Sequence, residues 1–181
     1  MNQIFGLPAH PLLVHIPIVL IPLLALMCAA YVARPAWRAA LSIPTAVIAA
    51  ITFFGTLFAA NSGESLQEKV NRSALVRAHA QMGDQLKTIG LLFCLAVLGT
   101  VLLENSDRRG WRRVRLPGQR RLLLLAFTVT IVMAGAATVW DVRAGHSGAK
   151  AVWTEADRLR INSSNATPVP ARAAPATGNG S

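Results

Sequence analysis

Four histidines are the residues in this chain best suited to chemistry: His10, His15, His79 and His146. Neutral imidazole ligates metals and haem iron, and its charge changes near physiological pH. His10 and His15 belong to the stretch His10-Pro11-Leu12-Leu13-Val14-His15-Ile16-Pro17-Ile18-Val19, which opens an apolar run. His79 stands just before another apolar run, and His146 follows the last one. Whether the four rings meet depends on how the intervening segments cross.

Those segments point to a bilayer. The chain has 181 residues, enough for one domain, and is 53% hydrophobic with only 14% charged residues. Soluble domains carry about 25% charged residues. The apolar residues fall in blocks, at about 11–32, 39–60, 80–103 and 122–142. Each is long enough to cross a hydrocarbon core of about 30 Å as a helix. The expected fold is all-α: a polytopic membrane four-helix bundle over residues 1–155, followed by a disordered polar tail over 156–181. That tail, rich in Ala, Pro, Ser, Asn and Gly, has too little apolar surface to order itself.

Local signals refine the elements. Pro11 suits a first helical turn, while Pro17 and Pro22 each remove a backbone hydrogen bond and bend the first segment. The first segment lacks a basic leader and is too long for a signal-peptide core, so it is expected to stay. Gly55 and Gly99 offer small sites for close helix contact. Asp84 and Lys87, three apart, can pair on one helix face. Gly145-His146-Ser147-Gly148 reads as a helix stop. Cys28 and Cys94 lie in apolar segments without a CxxC partner, so neither a disulfide framework nor a zinc site is expected.

The net charge of +10 resides in loops and flanks. Such residues set topology and touch lipid headgroups, so the expected partner is the lipid bilayer and not nucleic acid. Arg34 and Arg38 follow the first segment, and seven arginines fall between Glu104 and Arg121. The positive-inside rule puts these two loops in the cytoplasm and both termini outside, as in a multi-pass protein of an inner membrane.

With four crossings, all four histidines map to the outer half. His15 would lie about 6 Å inside a helix beginning at Pro11, and His10, about 140° away, reads as a loop or cap residue. Three readings stay open. Imidazoles from facing helices, His15 with His79 or with His146, could ligate haem b or a metal ion in a small electron-transfer module. His15, Asp84, Asp141 and Arg143 could form a proton or ion pathway. The histidines could instead be interfacial and structural in a non-catalytic component that associates with other membrane or redox proteins.

The opening Gly6-Leu7-Pro8-Ala9-His10-Pro11-Leu12-Leu13-Val14-His15-Ile16-Pro17-Ile18 resembles that of a bacterial membrane-protein family, domain of unknown function 2231. Ile16 stands where the family motif has Phe. His79 before the third segment and Gly145 to Gly148 after the fourth are also similar. The resemblance spans about residues 5–155 and implies a four-helix membrane protein, with no assigned activity.

Overall fold

An uncharged apolar run in lipid must satisfy its own backbone, and a helix does so within one segment. The structure, a computed structural model, describes residues 3–4, 7–67, 73–108 and 118–165. Strands β1 (Gln3–Ile4) and β2 (Leu7–Pro8) pair antiparallel. Then come helices α1 (Ala9–Leu13), α2 (His15–Ala33), α3 (Arg38–Gln67), α4 (Ala74–Arg108) and α5 (Gln119–Asn165). A single 3-10 turn, Pro35–Trp37, joins α2 to α3. The all-α class holds, with the small β pair as its only strands among the described residues.

Four helical stretches are long and apolar enough to cross a membrane: His10–Ala33, Pro35–Leu66, Ala74–Ser106 and Arg120–Asn162. At 1.5 Å per residue α4 is about 52 Å long and α5 about 70 Å, so both outrun a hydrocarbon core of about 30 Å. Helix α5 runs on to Asn165, through the start of the segment expected to be tail; residues 166–181 lie outside the described residues. Most of the basic loop between α4 and α5, residues 109–117, lies outside them too.

The bundle turns many large apolar side chains outward and gathers small and polar ones inward beside a few large ones. Leu26, Ile43, Phe54, Phe58, Leu102, Leu125 and Val132 are exposed, as suits contact with lipid. The interior packs Ile21, Leu24, Phe93 and Val97 against Ala49, Ala134 and Ala137. Small residues let helix backbones approach where lipid gives no hydrophobic drive for association. Gly55 is such a point: a Cβ there would collide with the Ile16 side chain of α2. Gly99 has no neighbouring side chain within 4 Å, so of the two glycines expected at contacts only Gly55 is one.

Most buried hydroxyls are satisfied locally, Thr45 Oγ1 being without a hydrogen-bond partner among the described residues. Thr52 donates to the Ile48 carbonyl at 2.7 Å and Thr56 to the Thr52 carbonyl at 2.8 Å. Thr100 and Thr130 join α4 to α5 at 2.8 Å.

Arg38 fastens one end of the bundle. Its Nε donates to the Tyr31 carbonyl at 2.9 Å and its Nη2 to the Val32 carbonyl at 3.1 Å. These are among the last carbonyls of α2, which lack partners within the helix. Its Nη1 lies 3.6 Å from Glu104 of α4, and its guanidinium stacks over Phe127 of α5 at 4.5 Å. One side chain therefore joins all four long helices, with both charges largely buried. Removing one partner of a buried pair leaves the other charge uncompensated, at a cost of about 3–5 kcal/mol. Arg38→Ala is expected to destabilise the protein by roughly that amount and Gly99→Leu hardly at all, which thermal unfolding in detergent micelles will measure.

Candidate functional site

At the opposite end the chain gathers imidazoles. Helix α2 buries Pro17, Ile21, Leu24, Cys28 and Tyr31, a three-and-four spacing that marks its inward face. Followed backwards, that stripe reaches Val14 and then His10, and it misses His15. Pro17 has no N–H for the Leu13 carbonyl, yet the backbone stays helical through Val14, whose N–H donates to the His10 carbonyl at 3.0 Å. This continuous register turns His10, on α1, towards α3 and α4. Its ring meets that of His79, from the first turns of α4, edge to face with centroids 6.3 Å apart and planes at 66°.

Each ring is held by the same device. His10 Nδ1 lies 3.1 Å from the Ala59 carbonyl and 3.3 Å from Ser62 Oγ, both on α3. His79 Nδ1 lies 3.0 Å from Ser147 Oγ on α5. Both serine hydroxyls already donate at 2.8 Å to the carbonyl three residues back, Ser62 to Ala59 and Ser147 to Ala144. Their oxygens therefore act as acceptors, and each Nδ1 must carry the proton. That tautomer leaves the Nε2 lone pair of each imidazole to a ligand. A glycine follows each serine and makes room for the ring. A Cβ on Gly63 would sit 2.9 Å from His10 Cε1, and one on Gly148 would sit 2.9 Å from His79 Cε1.

The other two histidines lie at this end but outside the pair. His15 is exposed on α2, and His146, beside Ser147 on α5, is exposed as well. The pairings of His15 with His79 or with His146 are thus not the ones the packing brings together; His10 with His79 is. Asp84 and Lys87 do pair, at 3.3 Å, and Lys87 also reaches Glu64 of α3 at 3.1 Å. Both carboxylates are exposed, so this is a surface contact. Trp140 donates to Gln85 at 3.1 Å and Arg143 stacks over Trp140 at 5.3 Å. Asp141, by contrast, is buried, and its Oδ1 has no hydrogen-bond partner among the described residues.

The serines and glycines of the clamps are the functional candidates that the sequence reading passed over. Their signal was present as a repeated pattern, Ala59-Ala60-Asn61-Ser62-Gly63 and Ala144-Gly145-His146-Ser147-Gly148. The second stretch, expected to stop a helix, lies inside α5, where Gly148 serves contact with a ring and not termination.

Chemically the pair offers two neutral imidazole donors from two different helices. Among the described residues no group of three or more His, Cys, Asp or Glu side chains converges. A centre held here would have two protein ligands, with its remaining positions filled by a porphyrin, water or another small molecule.

Nitrogen NMR of the rings tests the clamps. His10 and His79 are expected as Nδ1–H tautomers. Ser147→Ala should release His79 from that tautomer at a cost of about 1 kcal/mol while leaving His10 unchanged. An Nε2–H tautomer at His79 in the unaltered protein would contradict the assignment. Comparison with known proteins gives one result at family level: a family model described as "Predicted membrane protein (DUF2231)" matches residues 6–157. No curated protein and no solved structure gives a significant match. The matched region spans β2, every helix but the end of α5, and both halves of the histidine pair, and the chain belongs to this family of predicted membrane proteins, DUF2231.

Proposed function

We propose that this protein is a small membrane-embedded electron-transfer or metal-binding module. In this reading the Nε2 atoms of His10 and His79 ligate one transition-metal centre, an ion or the iron of haem b. The observation that carries the proposal is the shared clamp. Two imidazoles from different helices each have Nδ1 engaged by a helix carbonyl or serine, the arrangement that fixes a ligating histidine's tautomer and raises its basicity.

The same reading orients the protein. The Arg34–Arg38 end faces the cytoplasm of a bacterial cell, and the histidine end with both termini lies on the outer side of the inner membrane. Electrons would then enter or leave by way of a redox protein at the outer surface.

Absorbance and metal content of protein purified from haem- and metal-replete cells provide the test. The expected result is a Soret band or about one metal per chain, lost in His10→Ala and His79→Ala and kept in His15→Ala and His146→Ala. A preparation with neither, or a centre that survives both clamp-histidine substitutions, would refute the proposal.

A further inference from the structure

Helix α5 outlasts the rest of the bundle at the histidine end. Ser62 and Ser147 hold two rings that touch, so they lie at about one level. Helix α3 ends at Gln67, five residues beyond Ser62, and α4 begins at Ala74, five before His79. Both stop about level with Val152, five beyond Ser147, while α5 continues to Asn165. Residues 153–165 thus carry α5 about 20 Å past its neighbours. A lone helix of that length is marginal in water. This one also presents large apolar side chains: Val152 is 68% exposed, Trp153 66% and Leu159 64%.

The apolar residues follow a register. Val142, Gly145, Ala149, Val152, Ala156 and Leu159 succeed one another at alternating steps of three and four, the a and d positions of a heptad. Four of them are exposed, and Gly145 and Ala156 are half-buried. The inward face of α5, with Ala134, Ala137, Asp141 and Ala144, is a separate line. Between Val142 and Arg160 the chain carries Arg143, Lys150, Glu155, Asp157, Arg158 and Arg160, and every one falls off the a and d positions. One heptad before Val142, Gly135 continues the seam into the lipid-facing surface, exposed and with nothing within 4 Å of an added Cβ. Small residues there let a second helix approach closely.

The seam is complementary to itself. Copies of one protein in one membrane share orientation and depth, so two α5 helices meet parallel and in register, about a two-fold axis along the membrane normal. In that register Glu155 falls at g and Arg160 at the following e, positions that face each other across a parallel pair. The two-fold axis supplies this opposite-charge match twice. Trp153, at e, flanks the seam, whereas Ile161, at f, lies on the far side and takes no part.

We propose that this protein forms a homodimer through α5, along a parallel coiled-coil seam that runs from Gly135 within the membrane to Leu159 beyond it. The dimer does not depend on ligation at the histidines.

Cysteine cross-linking of the full chain in membranes tests it, because a disulfide needs Cα atoms within about 7 Å of each other. Val152→Cys, Leu159→Cys and Ile161→Cys are oxidised singly and compared with the unaltered protein, whose Cys28 and Cys94 are buried. The expected result is a dimer band for Val152→Cys and Leu159→Cys and none for Ile161→Cys or the unaltered protein. Glu155→Arg should weaken the Leu159→Cys band, and adding Arg160→Glu should restore it, a recovery that a folding defect would not give. Equal cross-linking at all three positions, monomer at all three, a band formed with a different protein, or a Leu159→Cys band indifferent to Glu155→Arg would overturn the proposal.

Discussion

Lipid tails offer no hydrogen bonds, so a polar side chain that this chain turns inward is costly unless it finds a partner inside the bundle. That constraint shapes both ends. At one, Arg38 is admitted to a largely buried position because α2 has carbonyls to spare, α4 supplies Glu104 and α5 supplies the face of Phe127. At the other, two imidazoles are admitted because α3 and α5 each present a carbonyl, a serine oxygen and a glycine in the same order. Between the ends, threonine hydroxyls close on carbonyls of their own helices or on each other.

The constraint also separates the histidines by role. An imidazole at a helix surface near headgroups has water for its nitrogens, and His15 and His146 fit that case. His10 and His79 have protein partners for Nδ1, and the serine geometry determines which nitrogen bears the proton.

The number of long helices, their approximate limits and their outward apolar faces were legible in the chain, because an uncharged run longer than about twenty residues has few alternatives. The phase of α2 was not. Its residues are apolar on every side, so no polar face betrayed which way it turns, and a regular count from Pro11 favoured His15 over His10. The stripe from Pro17 to Tyr31, followed back through Val14, brings His10 and not His15 against His79. Gly145 to Gly148 looked like a helix end because glycine is read first as a backbone signal. Here Gly148 makes space for a ring brought from a distant helix, a reason that local sequence does not contain. The tail boundary at 156 was drawn from composition, whereas α5 extends through helix-forming residues to Asn165.

Counting the imidazoles bound to the metal in the loaded protein by X-ray absorption bears most directly on this account. The account predicts two in the unaltered protein and in His15→Ala, and no bound centre in His10→Ala or His79→Ala. An unchanged count in the His10 and His79 variants, or a drop on removing His15, would contradict it.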